Sequence, residues 1–198
     1  MGKQVIVAIG REYGSAGHFI AEKLAEKLGV ELYDKKFIEG ACEEIGYSRE
    51  VMQKYDEQPS KIFISRKIGS YTNSIEEIVQ EKVADFIRAR AESGESFVVV
   101  GRCSDQILRD NPNAVRVFVM GDREEKIHRI MELYSLTREK AAERIDAEDK
   151  RRRRYHNAYS DYKWGDSRGY HLCVNSSLVG IDATVEMLEF YVKKFVGE

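Results

Sequence analysis

A short apolar run, Gln4-Val5-Ile6-Val7-Ala8-Ile9, passes straight into Gly10-Arg11-Glu12-Tyr13-Gly14-Ser15-Ala16-Gly17-His18. Apolar Phe19, Ile20, Leu24 and Leu28 then recur at helical spacing, and Gly29 supplies the helix stop. A β-branched run without polar alternation marks a strand buried on both faces, which requires helices on both sides of a parallel sheet. This strand, glycine loop and helix restrict the chain to an α/β fold more strongly than any other segment does.

The rest of the chain repeats the alternation. Val30 to Tyr33, Phe97 to Val100, Val115 to Val119 and His171 to Asn175 read as further strands. Helices are expected over 36–45 and 74–92, from Asp122 to Leu133, from a Thr137 cap into the basic cluster, and from Asp182 to Phe195. Residues 47–73 are polar and mixed, and read as helix and loop over the sheet edge, a substrate-covering region. Alternating strands and helices imply right-handed crossovers in one sheet. With 198 residues, no internal repeat and no break in composition, the chain is expected to form one domain over 1–198.

Composition excludes several classes. A net charge of −2 argues against a protein built to coat nucleic acid, although basic residues cluster from Lys150 to Arg154. Cys42, Cys103 and Cys173 lie too far apart for a disulfide framework or a zinc pattern, so buried reduced thiols are expected. No apolar run approaches the ~20 residues a membrane span needs. The N-terminus carries neither a lipidation motif nor a secretory core, which makes the cytoplasm the default location.

The glycine loop carries the first chemistry. A phosphate placed there would meet backbone N–H groups and the positive end of the helix dipole, and glycine lets the backbone approach without a Cβ in the way. Gly10, Gly14, Ser15, Ala16, Gly17 and His18 are therefore candidate phosphate-binding residues. A tight turn that binds nothing is the alternative. The pattern G-x-x-x-x-G-K-[ST] is not matched, because Gly17 or His18 stands where lysine belongs and Phe19 where the hydroxyl belongs. Arg11 is the candidate substitute cation and Ser15 the only loop hydroxyl.

Arg11-Glu12-Tyr13-Gly14-Ser15-Ala16-Gly17, continued by His18-Phe19-Ile20-Ala21, resembles the signature of the cytidylate kinase-like family of P-loop proteins. Three later stretches extend the resemblance. Leu32-Tyr33-Asp34-Lys35 is similar to a strand end whose acid faces the acceptor or its metal, with a plain helix cap as the alternative for Asp34. Val98-Val99-Val100-Gly101-Arg102 resembles the strand end whose arginine grips the acceptor phosphate. A surface ion pair is the alternative for Arg102. Val100 and Cys103 replace the flanking acids, leaving Asp105 as a stand-in for metal contact. Asp146-x-x-Asp149-x-x-Arg152 is similar to the lid motif of cytidylate kinases, with Arg144 beside the place of its first arginine, and a solvated charged helix face is the alternative.

The resemblance implies a three-layer P-loop NTPase-like domain: a parallel five-stranded sheet flanked by helices, and a helical lid over about residues 140–168. It implies ATP as phosphoryl donor with Mg²⁺, and a small acceptor, a nucleoside monophosphate such as CMP first. Arg11, Arg144, Arg151 and Arg152 would be catalytic, Asp34, Arg102 and Asp149 would bind the acceptor, and Asp34 and Asp105 would contact the metal. Two other functions stay open: a nucleotide-binding regulatory protein with weak or no turnover, and a kinase for a small molecule that is not a nucleotide. Tyr155, Tyr159, Tyr162, Trp164 and Tyr170 follow the basic cluster, and are expected to pack the lid, or contact substrate or a second subunit, rather than stack nucleic acid. A homo-oligomer is compatible with these features.

Overall fold

The computed structural model describes residues 3–44 and 75–197. Strands β1 (Ile6–Arg11), β2 (Glu31–Tyr33), β3 (Phe97–Val100), β4 (Ala114–Met120) and β5 (Leu172–Asn175) form one sheet in the order β2-β3-β1-β4-β5. Every pairing is parallel, as the buried β-branched runs require. Seven α-helices lie among the described residues: α1 (Gly17–Leu28), α2 (Lys35–Glu44), α3 (Ile75–Glu92), α4 (Ser104–Ile107), α5 (Arg123–Tyr134), α6 (Arg138–Tyr159) and α7 (Ser176–Val196). The expected covering region 47–73 lies outside the described residues.

Side-chain alternation along β1 divides the core. Ile6 and Ala8 face a layer with Tyr33, Ile38, Val83, Ile87, Phe97 and Val99, which draws α2 and α3 onto one side. Val7 and Ile9 face the other side with Ile20, Leu24, Val98, Val117 and Leu188, which draws α1 and α7 there. A third, smaller cluster of Ile127, Ile130, Ala141 and Ile145 holds α5 to α6 beyond the sheet, with Tyr13 of the glycine loop packed against it. That satellite pair brings the charged residues of α5 and α6 to the carboxyl end of the central strand. In open parallel sheets this end, where connections diverge to either side, is where ligands bind.

Several boundaries differ from expectation for identifiable reasons. β1 runs on through Gly10 and Arg11, which pair with Phe118 and Val119. The short α4 after β3 was not apparent in the sequence, because four residues are too few to show a period. α7 begins earlier than expected, at Ser176, with Gly180 at φ 81° and ψ 174° kinking it where the pattern had seemed to begin. Asn175 caps its first turn by accepting from Ser177 N–H at 3.0 Å. Thr137 caps α6 as expected, accepting from Lys140 N–H at 3.4 Å.

Leu188 is fully buried between α1 and the sheet. Leu188→Ala should therefore lower stability by about 2–5 kcal/mol through lost burial and the cavity left behind. In urea unfolding this appears as a lower midpoint with unchanged slope. An unchanged midpoint would mean that α7 does not pack as described.

Candidate functional site: a phosphate loop braced by two helices

The loop begins where β1 stops. Glu12 N–H still donates to Val119 C=O at 3.0 Å, and the chain then turns. Ser15 is fully buried, its hydroxyl donates to Glu12 C=O at 2.9 Å, and its own carbonyl accepts from the Ser176 hydroxyl at 2.7 Å. The only serine or threonine hydroxyl of the loop thus serves to fold it. Ala16 is the N-cap of α1, in the left-handed region at φ 60°, and makes no side-chain cap. The first N–H groups of α1 are left uncapped by side chains at the positive end of a three-turn helix.

Gly10 and Gly17 are small for reasons of packing. A Cβ on Gly10 would lie 3.0 Å from Phe118 and 3.3 Å from Tyr170, so this glycine admits aromatic rings beneath the sheet end. A Cβ on Gly17 would lie 2.5 Å from Arg11 Cβ. The Arg11 stem therefore fills the space beside the position where a P-loop lysine would start. A lysine grafted at Gly17 cannot enter without moving Arg11.

The brace is centred on Lys126, which the sequence pattern did not single out. Lys126 of α5 has a side chain only 7% exposed, and its Nζ lies 2.9 Å from Glu12 Oε2 and 3.1 Å from Asp149 Oδ2. The other oxygen of Asp149 accepts from Tyr13 N–H at 2.6 Å, and Glu12 Oε2 also accepts from Gly121 N–H at 3.2 Å. A Cβ on Gly14 would sit 3.1 Å from Lys126 Cβ, and Gly14 itself is at φ 84°, so only glycine fits there on both counts. Arg129, one turn along, donates to Gly14 C=O. The available signal was a lysine on the same helical stripe as Ile127 and Ile130, since lysine is almost never buried without a partner.

Above the loop lies a cavity of about 620 Å³, a size suited to a nucleotide-sized ligand. Arg11, Gly14, Ala16, Gly17 and His18 line it from the loop side, and Arg152 reaches it from α6. Arg152 donates to Arg11 C=O at 3.2 Å, and its guanidinium lies 5.3 Å from the Tyr13 ring centre. The Arg144 guanidinium lies 5.8 Å from that ring centre and 3.8 Å from the centre of Tyr134. Burial, and next the Tyr134 hydroxyl, push the Tyr13 phenol up to about 12, which keeps the ring neutral between its two cations.

The motif acids of α6 turn toward protein. Asp146 is held by a bidentate pair with Arg123 at 2.7 and 2.9 Å, and that guanidinium keeps its carboxyl below the usual range. Asp149 reaches the glycine loop, as described. Arg151 bonds Glu148 at 2.9 Å and does not line the cavity.

The remaining candidates lie around the strand ends. Asp34 Oδ1 accepts from Phe37 N–H at 2.9 Å, which is cap geometry, while Oδ2 lies 3.9 Å from His18 Nε2. Arg102 is 2% exposed, which removes the surface ion pair as its explanation. Gly101, Arg102 and Cys103 are consecutive left-handed residues at φ 77°, 60° and 55°. Non-glycine residues in this region cost about 1–3 kcal/mol each and concentrate at functional sites. Asp105 is buried, with Oδ2 2.7 Å from His156 Nε2. The aromatics after the basic cluster pack as expected: Phe118 meets Trp164 edge-on at 5.3 Å and Tyr170 at 5.1 Å.

The sheet order, the glycine loop after its central strand and the cationic cavity above that loop are those of a P-loop kinase fold. The chain belongs to the cytidylate kinase-like family, which it matches over residues 6–178. It is similar over 96% of its length to 99% of an uncharacterized protein from Eubacterium ventriosum, at 34% identity and a TM-score of 0.75. The fold is shared with a shikimate kinase from Bacteroides thetaiotaomicron, at 14% identity and a TM-score of 0.56, covering 96% of this chain and 98% of that one. It is also shared with a sugar kinase from a Janibacter species, at 14% identity and a TM-score of 0.51, covering 98% and 94%. No functionally curated protein matches the chain. Among the described residues no helix is long and apolar enough to cross a membrane.

Lys126→Met would leave the Glu12 and Asp149 carboxylates without their shared cation. The expected loss is about 3–5 kcal/mol of unfolding free energy, the usual cost of breaking a buried pair from one side. Adding Asp149→Asn to that variant should restore part of the loss. A single-variant loss under ~1 kcal/mol, measured by denaturant unfolding, would contradict the brace.

Proposed function

We propose that this protein is a phosphotransferase that moves the terminal phosphoryl group of ATP to a small acceptor, with a nucleoside monophosphate such as CMP as the leading candidate. One observation carries the reading: the uncapped start of α1 and the guanidinium-bearing Arg11 and Arg152 meet in one cavity at the carboxyl end of the central strand. Phosphoryl transfer asks a protein for positioning and charge neutralisation, and this cavity offers both. N–H groups from Gly14 to His18 would hold the donor phosphates. Arg11 and Arg152 would face the charge that builds on the transferred group, and Arg144 would join from its place on Tyr134. Arg102 would bind the acceptor phosphate, at a strand end whose strained backbone fixes its direction.

Mg²⁺ would be the accompanying metal, and when bound it would supply charge neutralisation to the phosphates. The chain offers it little. Asp34 fits, with one carboxylate oxygen facing His18 and a side chain 22% exposed. Ser15 does not fit, because its hydroxyl is turned into the loop, and neither does Asp105, which is buried against His156. The ion would therefore keep most of its water and rest on Asp34.

A second reading has its own support. The Arg11 stem beside Gly17 and the inward hydroxyl of Ser15 leave the loop without the lysine and metal-binding hydroxyl that usually serve turnover. Both features favour a nucleotide-binding regulatory protein with little or no catalysis. A non-nucleotide acceptor is compatible with the fold but has no residue-level observation behind it.

ADP release from ATP and Mg²⁺, followed across a panel led by CMP and dCMP and including non-nucleotide acceptors, separates these readings. Acceptor-dependent ADP is expected, with Arg152→Ala lowering kcat about 10³-fold or more. Arg102→Ala should raise KM for the acceptor while leaving ATP affinity unchanged. Tight ATP binding with no ADP for any acceptor would establish the regulatory reading instead.

A further inference from the structure

Three buried side chains that the nucleotide site does not use converge beneath it. Cys103 follows β3, Asp105 lies in α4, and His156 lies on α6 one turn beyond Arg152; they are 3%, 7% and 4% exposed. One ligand atom from each, a thiol sulfur, a carboxylate oxygen and an imidazole nitrogen, lie within 4.8 Å of one another. The Tyr170 hydroxyl stands 3.4 Å from His156 Nε2. His156 Nδ1 is buried and has no hydrogen-bond partner among the described residues, which is costly for an imidazole nitrogen. The Cys103 thiol makes a long contact to His156 C=O at 4.0 Å.

Cysteine, histidine and aspartate together suggest a nucleophilic triad, but burial argues against that role. Desolvation, and next the Asp105 charge, push the Cys103 thiol well above its ordinary range, and Cys103 does not line the cavity above the loop. A metal ion suits the cluster better. Mg²⁺ prefers oxygen ligands and its own water, so sulfur and nitrogen in a dry site select against it.

We propose that Cys103, Asp105 and His156 form a site for a thiophilic divalent cation such as Zn²⁺, which ties α6 to the end of β3. Zinc bonds of about 2.0–2.3 Å in tetrahedral geometry place ligand atoms roughly 3.3–3.8 Å apart. The cluster needs to close by at most about 1.0–1.5 Å, while the 2.7 Å contact between His156 and Asp105 opens slightly. The Tyr170 hydroxyl or a water supplies the fourth position. Charge balances: a divalent cation with a thiolate, a carboxylate and a neutral imidazole leaves no net charge in the buried site. Binding expels the thiol proton to solvent. The ion would hold His156, and with it the Arg152 turn of α6, at a fixed distance from Arg102. The wide spacing of the cysteines concealed this arrangement, because the ligands come from separate elements and only one of them is cysteine.

The test uses the full chain, stripped with a chelator and titrated with Co²⁺ alone. A thiolate-to-cobalt charge-transfer band saturating at one equivalent is expected, abolished by Zn²⁺ and absent in Cys103→Ser. At a hundredfold excess over its Kd, Zn²⁺ should raise the Tm by about 5–10 °C. The Cys42→Ser/Cys173→Ser variant, whose sole thiol is Cys103, should keep the band, which decides the matter even if Cys103→Ser fails to fold. No band in the wild-type protein, a band that survives Cys103→Ser, or a band lost from the Cys103-only variant would each overturn the proposal. No nucleotide is required, so the result is independent of whether the protein is a kinase.

Discussion

The rest of the site depends on Lys126. A buried ammonium must be paired, and this one is paired twice, to Glu12 inside the loop and to Asp149 on α6. Asp149 then takes the Tyr13 N–H, so a single cation holds both the loop and the helix that overlies it. Arg129 on Gly14 and Arg152 on Arg11 add further bonds from the same two helices to loop carbonyls. In the standard motif the loop lysine is a ligand-binding group. Here a lysine from another helix fixes the loop from behind, and on the proposed function ligand contact would fall to backbone N–H groups and arginines.

Backbone strain follows the same geography. Ala16, Arg102 and Cys103 are three of the four non-glycine residues at positive φ among the described residues, and all three lie at the ends of β1 and β3. The fourth, Ser135, closes α5. Strain persists only where surrounding structure over-determines it. At Ala16 the brace and the buried Ser15 do so. At Arg102 and Cys103, the burial of both side chains does so. The strained points thus frame the region between donor loop and strand end, where a transferred group would pass.

Much of the fold was legible in the sequence. The β-branched run from Val5 to Ile9 and the stripes over 74–92 and 122–133 each had a period long enough to read; a parallel sheet followed from their alternation, and its five strands from the family resemblance. Local backbone geometry was legible, as in the turn at Gly14 and the Thr137 cap. The site was not legible where a residue's role depends on a distant partner. Gly10 looked like a phosphate glycine but makes room for Phe118 and Tyr170. Asp149 looked like an acceptor ligand but bonds the donor loop. Lys126 and His156 carried no motif at all, because a buried charge is recognised only by what meets it across the fold.

The most direct test of the account is a backbone amide NMR titration of the ¹⁵N-labelled protein with ATP and Mg²⁺. If the loop holds phosphate by its N–H groups as proposed, the largest shifts should fall on Gly14 to His18, with smaller ones at Tyr13, whose N–H Asp149 already takes. Shifts confined to other strand ends, or none at saturating ATP, would contradict the phosphate loop itself.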